Sequence, residues 1–327
     1  MRAIVLTEYG DPDVLRLATV PDPVPGPGQV AIAVRAAGVN RADLLQRRGR
    51  YPAPDPKPVH EIPGLEAAGE VAALGEGVRD WRPGDRVMAL LPGGGYAERV
   101  VVSDRMLIPI PADWGFETAA AFPEAFLTAY DALRQLSVSV GDWVLVHAAA
   151  SGVGTSAVQL ATAMGARVIG TCGTEEKAAR VVALGATRAV NYQREDFLAV
   201  CREMTGGRGV DAIVDLVGGS YLERNLQALS VRGRQIVVGT VGGHEASINL
   251  GMILGRRLQL MGTALRSRAP EEKMQLTQAV RRHVGPLLES GRAVPVLDRV
   301  FPWAEAPAAH RRMEANLNIG KIVLAID

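Results

Sequence analysis

The stretch that decides the fold runs from Val144 to Gly154 and reads Val-Leu-Val-His-Ala-Ala-Ala-Ser-Gly-Val-Gly. It opens with an uncharged run typical of a buried parallel strand. A turn of small residues follows, and the chain then spaces its apolar side chains as a helix does, at Val153, Ala157, Leu160, Ala161 and Met164. This order predicts a nucleotide-binding unit, because the N-terminus of such a helix presents backbone N–H groups to a pyrophosphate.

The turn departs from the dinucleotide fingerprint Gly-x-Gly-x-x-Gly. Aligned on that pattern, Ala149 and Ser151 take the first two glycine positions and Gly154 takes the third. The strand–turn–helix context therefore carries the prediction, since the broken fingerprint alone is weak. An ordinary tight turn without a ligand is the alternative. The predicted coenzyme contacts from this turn are Ala149, Ser151, Gly152, Val153 and Gly154.

The end of the next predicted strand bears on the choice of coenzyme. NAD-binding units usually carry an acid there that binds the ribose 2′-hydroxyl, whereas this strand ends in Thr171-Cys172-Gly173. Glu175 follows a capping Thr174, where an acid favours the helix dipole. Lys177 and Tyr192 are candidates for binding a 2′-phosphate, so the pattern favours NADPH. A solvated lysine and a packing tyrosine are the alternatives. The predicted contacts from this region are Gly173, Thr174, Lys177 and Tyr192.

The pattern of predicted strands and helices changes along the rest of the chain. Before about residue 117, short apolar runs between glycines and prolines predict a β-rich unit of the barrel or sandwich kind. From there to Val238, strands alternate with helices, which predicts a doubly wound parallel sheet. One helical pattern spans Thr118 to Leu136 and another spans Pro270 to Ser290. A strand is predicted at Lys321–Leu324.

Composition excludes several classes of protein. The chain has 327 residues, with 36 Lys+Arg against 35 Asp+Glu, so its net charge of +1 gives no field that would attract nucleic acid. Two cysteines cannot build a disulfide scaffold. No uncharged apolar run is long enough for a membrane helix, and acids at positions 8 and 11 interrupt any signal-like core. We therefore expect a cytoplasmic protein that binds neither nucleic acid nor membrane.

Motifs along the whole chain resemble those of the quinone oxidoreductase branch of the medium-chain dehydrogenase/reductase superfamily. The motifs are Ala37–Asp43, Pro63–Val71, Gly84–Val87, His147–Gly154 and Gly320–Leu324. Three further stretches are similar to the tumour-suppressor-inducible quinone oxidoreductase subfamily, namely Asn40–Leu44, Leu90–Gly95 and Met313–Gly320.

The resemblance implies an α/β fold in which a Rossmann doubly wound parallel sheet is inserted in a β-rich, GroES-like catalytic domain. Residues 1–123 and 263–327 would form the catalytic domain, and residues 124–262 the dinucleotide-binding domain. It also implies an NADPH cleft between the domains and assembly as a homodimer or a multiple of dimers.

Zinc alcohol dehydrogenases share this fold, so the question of a metal is separate. Matching their Cys, His and Cys ligands to this chain selects Asn40, Leu65 and Glu124. Leu65 cannot ligate a metal and Asn40 is a poor ligand for zinc. We therefore expect zinc-independent chemistry and no metal site.

The chemistry that fits is hydride transfer from NADPH to a quinone, whose developing oxyanion is delocalised and needs little help from the protein. By resemblance, Asn40 and Tyr51 lie near the nicotinamide, with a capping asparagine and a packing tyrosine as the alternatives. Thr128 and Asn316 are further cofactor candidates that are equally compatible with structural roles.

Three other functions compete with this one. The first is reduction of an activated C=C bond, in an enone or enoyl thioester, with the same hydride geometry. The second is a nucleotide-binding protein with little turnover. A serine hydrolase using His147 and Ser151 is disfavoured, because Val153 stands where a nucleophile elbow needs glycine.

Overall fold

The computed structural model describes residues 1–51 and 59–327. They form two compact units, one of Met1–Leu127 with Arg266–Asp327 and the other of Thr128–Leu265. The predicted domains divide the chain a few residues earlier at both junctions, and that division stays a prediction.

The strands of the described residues are, in chain order, β1 (Arg2–Val5), β2 (Arg16–Thr19), β3 (Gln29–Val39), β4 (Glu66–Leu74), β5 (Arg86–Leu90), β6 (Arg99–Ser103), β7 (Leu107–Pro109), β8 (Trp143–Val146), β9 (Arg167–Cys172), β10 (Arg188–Asn191), β11 (Val210–Asp215), β12 (Leu229–Val237), β13 (Gln259–Gly262), β14 (Leu297–Pro302) and β15 (Lys321–Ala325).

The α-helices of the described residues are α1 (Arg41–Arg47), α2 (Phe116–Ala120), α3 (Pro123–Gln135), α4 (Gly152–Ala163), α5 (Glu175–Ala183), α6 (Phe197–Met204), α7 (Tyr221–Ala228), α8 (Leu250–Arg256), α9 (Pro270–His283), α10 (Gly285–Glu289) and α11 (Ala306–Glu314). Among them, none combines the length and the apolar character that crossing a bilayer requires.

The unit Thr128–Leu265 is built on a six-stranded sheet in the order β10-β9-β8-β11-β12-β13. Every pairing in it is parallel. The first strand of the unit, β8, is central, and the order reverses between β8 and β11, which is the doubly wound arrangement. Buried Val and Ile side chains fill the strands, as continuous apolar runs predict.

The other unit is β-rich. Its larger sheet has the order β14-β15-β3-β4-β5-β7, with β6 also pairing β3, while β1 and β2 form a separate hairpin. The C-terminal strand β15 lies between β14 and β3, so the end of the chain completes the sheet that begins with β3. The predicted fold, a doubly wound sheet inserted in a β-rich unit, is confirmed.

Two predicted helical stretches are each divided in the structure. The segment Thr118 to Leu136 holds α2 and α3, because Pro123 opens a new helix where its missing N–H costs nothing. The segment Pro270 to Ser290 is also not continuous. It breaks at Val284, since Pro286 in the next turn cannot donate the hydrogen bond that a continuing helix requires.

Candidate functional site

The carboxyl ends of the parallel strands gather the sequence-predicted coenzyme residues of the unit Thr128–Leu265. Ser151 follows β8, Gly173 follows β9, and Tyr192 follows β10. Because the strands are parallel and adjacent, these loops emerge at one edge of the sheet. In doubly wound folds, ligands bind at this edge, where the strand order reverses.

The turn between β8 and α4 has the geometry of a coenzyme turn despite its missing glycines. The Ser151 side chain caps α4 and accepts a hydrogen bond from the Gly154 N–H at 3.0 Å. A Cβ on Gly154 would clash with the Ala148 carbonyl oxygen and lie 2.7 Å from Ala149 Cα. Gly154 therefore performs the packing role of the third glycine, which lets the helix approach the strand closely. The N-terminus of α4 is left to face the sheet edge.

The loop after β9 brings together the residues predicted to select the coenzyme. A Cβ on Gly173 would lie 2.7 Å from the Tyr192 hydroxyl, so the tyrosine covers this glycine. Thr174 caps α5 by accepting a hydrogen bond from the Lys177 N–H at 3.2 Å. Tyr192 keeps 44% of its surface exposed. The Tyr192 hydroxyl thus lies over Gly173, and Lys177 stands in the first turn of the helix that follows this glycine.

Glu175, the acid nearest to this loop, is bound elsewhere. Its Oε1 accepts a hydrogen bond from Asn191 Nδ2 at 2.7 Å, and Arg194 lies 3.4 Å from the same oxygen. The carboxylate therefore has an amide and a cation as partners at the side of β10. Sequence reasoning missed Arg194 as the partner of Glu175, because the two residues are 19 positions apart in the chain.

A groove that sequence reasoning did not identify lies at the ends of β12 and β13. It has a volume of about 400 Å³. Thr263 on its rim donates a hydrogen bond to Asp131 at 2.8 Å. Asp131 lies on α3, one helical turn after Thr128. The helix face that carries Thr128 therefore borders this groove. The groove is lined by Val237, Val238, Gly239, Thr240, Gly262, Thr263 and Ala264. The signal that could have found it is the glycine that follows the strand end at Val238.

His147 and the cysteines have no part in nucleophilic chemistry. The His147 ring is buried, and its two nitrogens meet Thr171 Oγ1 at 2.9 Å and Asn225 Oδ1 at 2.7 Å rather than Ser151. Burial lowers the pKa of His147. Burial raises the pKa of Cys172 to about 11 and that of Cys201 to about 12, so both stay as inert thiols.

In the β-rich unit, Asn40 caps α1 and is held by a buried ion pair. The Asn40 N–H donates to Asp43 at 2.7 Å, which is one half of a capping box. Its side-chain amide donates to Glu66 Oε1 at 2.8 Å, and its carbonyl oxygen accepts from Lys321 Nζ at 2.5 Å. Lys321 also bonds Glu66 at 2.5 Å, and both charged side chains are almost fully buried. Asn40 therefore stands at the N-cap position of α1, while Glu66 and Lys321 hold its side chain in one orientation.

Asp43, which accepts from the Asn40 N–H, also contacts a second set of buried polar side chains, those of Tyr96 and His310. It accepts hydrogen bonds from the Gly64 N–H at 3.1 Å and from the Tyr96 hydroxyl at 3.3 Å. The same hydroxyl lies 3.2 Å from His310 Nε2. Burial raises the pKa of Asp43 to about 6 and lowers that of His310 to about 3. No sequence pattern predicted this network, because its members come from distant parts of the chain.

Tyr51 lies against an arginine that sequence reasoning missed. The guanidinium carbon of Arg266 is 4.4 Å from the centre of the Tyr51 ring. Burial raises the pKa of Tyr51 to about 12, with the charge of Glu124 acting in the same direction and that of Arg266 opposing it. The phenol therefore keeps its proton throughout the physiological range and is a hydrogen-bond donor.

Asn316 has a clear structural role. It follows α11 with a φ of +53°, the left-handed conformation that commonly ends a helix. Its side-chain oxygen accepts a hydrogen bond from Arg41 at 2.7 Å. A contact between Asn316 and a coenzyme stays a prediction.

The residues at the zinc-ligand positions do not fit a zinc ion. Leu65 is buried and apolar, and the Asn40 oxygen is taken by the Lys321 ammonium. The Glu124 N–H donates to Glu66 Oε2 at 2.8 Å, so the backbone there is tied to the same ion pair. A lysine ammonium thus supplies the positive charge beside Asn40 and Glu66, and the three positions offer one carboxylate, at Glu124, where a catalytic zinc needs three protein ligands.

Comparisons with known proteins agree along the whole chain. The zinc-binding dehydrogenase family matches residues 152–282, and the alcohol dehydrogenase GroES-like domain matches residues 26–112. The chain is 34% identical to a quinone oxidoreductase of Lama guanicoe, over 100% of this chain and 98% of that protein. It is 37% identical to a 2-haloacrylate reductase of a Burkholderia species, over 98% of each. A mycobacterial protein solved in complex with NADPH has a TM-score of 0.88 and 33% identity, with 100% of both chains covered.

Proposed function

The chain belongs to the quinone oxidoreductase branch of the medium-chain dehydrogenase/reductase superfamily, and from that premise we propose that it is an NADPH-dependent quinone oxidoreductase working without zinc. That it is an oxidoreductase acting on a small molecule follows from its family. The observation that carries the choice of coenzyme is the loop after β9. There Tyr192 covers Gly173 beside Lys177, and Glu175 is bound to Asn191 and Arg194.

In this proposal the coenzyme is held by one edge of the parallel sheet. The first turn of α4, with Ala149, Ser151, Gly152, Val153 and Gly154, binds the pyrophosphate through its backbone N–H groups and the helix dipole. Gly173, Thr174, Lys177 and Tyr192 bind the phosphate on the adenosine ribose. Thr128 and Asn316 are further proposed contacts.

Bound NADPH supplies a hydride from its reduced nicotinamide, and the quinone gains that hydride and one proton to become a hydroquinone. The protein binds and orients the acceptor. Tyr51 keeps its phenolic proton and donates a hydrogen bond to the acceptor carbonyl oxygen, where negative charge develops. Asn40, fixed by Glu66 and Lys321, forms a rigid wall of the site. Water supplies the proton.

The test is coenzyme oxidation by the purified full chain with 1,4-naphthoquinone or dichloroindophenol as acceptor. We expect NADPH to be consumed faster than NADH, and the rate to survive prolonged treatment with a zinc chelator. Absence of quinone-dependent NADPH oxidation would overturn the proposal. A rate abolished by the chelator and restored by zinc would overturn the zinc-free chemistry.

Reduction of an activated C=C bond is the second candidate. It is favoured by the 37% identity to a 2-haloacrylate reductase, a protein named for reducing such a bond. The same hydride geometry serves both reactions. Turnover of an enone such as methyl vinyl ketone, with kcat/KM above that for naphthoquinone, would select this candidate. Tight NADPH binding with neither acceptor reduced would instead select a nucleotide-binding protein with little turnover.

Assembly and location also belong to the proposal. We propose a homodimer or a multiple of dimers, which light scattering on the purified chain measures, and a cytoplasmic location, which cell fractionation measures.

A further inference from the structure

Arg266 carries a positive charge whose side-chain nitrogens make no hydrogen bond of normal length within the described residues, apart from a weaker interaction with the Tyr51 phenol. Its Nε and both terminal nitrogens are shielded from solvent, and none has a partner at normal hydrogen-bond length in residues 1–51 and 59–327. Arg47 and Arg234 also have buried nitrogens without partners, but each keeps an ion pair, with Glu314 and with Asp142. No such pair involving Arg266 occurs in the described part of the chain.

The surroundings of Arg266 satisfy only part of its charge. The guanidinium stacks on the Tyr51 ring at 4.4 Å, and the ring face attracts a cation without accepting its N–H groups in the guanidinium plane. The charge of Lys273 interacts with that of Arg266, and Lys273 Nζ donates to the main-chain carbonyl oxygen of Arg266 at 3.3 Å. Burial lowers the pKa of Lys273, and the charge of Arg266 lowers it further. The two positive charges and the unsatisfied N–H edge of the Arg266 guanidinium together favour binding of an anion.

The chemistry of the guanidinium selects the kind of anion. A dry, unpaired cation is strongly unfavourable, and a neutral carbonyl oxygen offsets only part of that cost. A carboxylate accepts two parallel N–H bonds from the guanidinium edge and neutralises its charge. A planar oxyanion therefore complements Arg266 better than an uncharged quinone carbonyl does.

We propose that Arg266 forms an anion-binding subsite for a carboxylate, or a similar planar oxyanion, on the acceptor substrate, with the Tyr51 ring packed against the pair. This inference rests on the proposed oxidoreductase function and narrows the acceptor to small conjugated molecules that carry an acidic group. A coenzyme phosphate is the other source of a suitable anion, and the experiment separates the two.

The experiment compares two inert ligands of the same shape, 2-naphthoate and 2-naphthamide, titrated calorimetrically into the full chain with and without saturating NADP⁺. We expect naphthoate to bind at least ~10-fold more tightly than the amide, as a charge-assisted bidentate pair requires. Arg266→Gln should abolish this preference. Arg266→Lys keeps the charge but loses the two parallel N–H donors of the guanidinium, so it should retain a small part of the preference.

The matched control is Arg299→Gln, which removes an exposed arginine stacked on the Phe301 ring at 5.7 Å and should leave the preference intact. Equal binding of the two ligands, no binding of naphthoate, or a preference that survives Arg266→Gln overturns the subsite. NADPH affinity should stay within about twofold in Arg266→Gln. A tenfold loss there, with the acid preference unchanged, would assign the anion to the coenzyme and overturn the proposal.

The outcomes for the subsite and for the proposed function are distinct. Reduction of naphthoquinone by a protein without acid preference leaves the function standing and removes the subsite. Acid preference that depends on Arg266, in a protein that reduces neither quinones nor enones, removes the function and leaves the subsite. Unchanged thermal unfolding of Arg266→Gln excludes misfolding as the cause of a lost preference.

Discussion

Lys177 lies in the first turn of α5, close to the glycine that Tyr192 covers. We predict that Lys177→Ala weakens NADPH binding by about one to two decades, since a charge-assisted bond to phosphate contributes roughly 1.5–3 kcal/mol. NADH affinity should hardly change, because it lacks the 2′-phosphate. Fluorescence titration with both coenzymes measures the effect.

Arg180→Ala is the control for Lys177→Ala, as it removes an exposed cation from the last turn of the same helix. It should leave both affinities unchanged. Equal losses of NADPH and NADH binding in Lys177→Ala would contradict a role in phosphate recognition.

The Tyr51 hydroxyl is a donor at all physiological pH values, because burial raises its pKa to about 12. Tyr51→Phe keeps the ring that stacks on Arg266 and removes only the hydroxyl. We expect kcat/KM for a quinone to fall about tenfold, the worth of one net hydrogen bond, while NADPH affinity is unchanged. An unchanged kcat/KM would instead support the interpretation of Tyr51 as a packing residue.

At the scale of the elements, sequence patterns predict local structure well where neighbours in the chain decide it. The β8–turn–α4 unit, its capping Ser151 and the packing glycine at 154 follow from a few consecutive residues. The groove beside Thr263 was missed, since it forms only where β12 and β13 pair and bring their ends together. The helix break at Val284 has a local cause, Pro286, but the helical spacing of apolar residues continues past it and the prediction followed that spacing.

Alanine substitutions at two helical glycines test whether the close packing of α4 on β8 positions the coenzyme turn. Gly154→Ala would force its Cβ against the Ala148 carbonyl oxygen and within 2.7 Å of Ala149 Cα, so the helix must shift. We expect a lower thermal midpoint and coenzyme affinity reduced at least tenfold, because the helix N-terminus moves with it. Gly255→Ala in α8 is the matched control, since its Cβ would meet nothing within 4 Å.

The control should behave in the opposite way. Alanine is favoured over glycine inside a helix by about 0.5–1 kcal/mol, so Gly255→Ala should raise the thermal midpoint slightly and leave coenzyme affinity alone. If Gly154→Ala behaves like Gly255→Ala, close packing of α4 on the strand is not what positions the turn.

The pairing of β15 with β3 places Lys321 beside Asn40, although 281 positions separate them. Lys321→Met removes the only cation that the described residues bring to buried Glu66. We predict a loss of about 3–5 kcal/mol in unfolding free energy, the usual cost of leaving a buried charge unpaired. Chemical denaturation followed by tryptophan fluorescence measures it.

Adding Glu66→Gln to Lys321→Met tests whether charge, rather than packing, is responsible. The double variant should recover much of the lost stability, because neither side chain then carries a buried charge. A double variant as unstable as the single one would show that Lys321 acts through its hydrogen bonds to Val39 and Asn40 instead.

On the scale of the whole molecule, sequence reasoning reached the architecture but not the interior chemistry. The motifs at Asn40 and Gly320–Leu324 predicted a β-rich unit completed by the C-terminal strand, and β15 does complete it. Yet directly bonded members of the network of Asp43, Tyr96 and His310 are up to 214 positions apart, and no periodicity or spacing encodes such contacts. Arg266 against Tyr51 was missed for the same reason.

That network predicts an unusual response of stability to acid. His310 has a folded pKa lowered to about 3, so the unfolded chain takes up its proton first, and its contribution to stability falls as pH drops below about 6.5. Burial raises the folded pKa of Asp43 to about 6, above the ordinary value of a carboxyl near 3.8. The folded chain therefore takes up that proton first, and stability rises as pH falls from about 6 to about 4. The two contributions oppose each other across this window.

Single variants should separate the two contributions. We expect His310→Gln to gain stability relative to the parent as pH falls from about 6 to about 4, because the cost of protonating the unfolded histidine is gone and the uptake by Asp43 remains. Asp43→Asn should lose stability relative to the parent over the same range, by up to about 1.4 kcal/mol per pH unit, since only His310 then responds. Thermal midpoints of the parent and the two variants across pH 4–7 measure both slopes. Parallel curves for the three proteins would contradict the pKa shifts that burial gives Asp43 and His310 in the folded state.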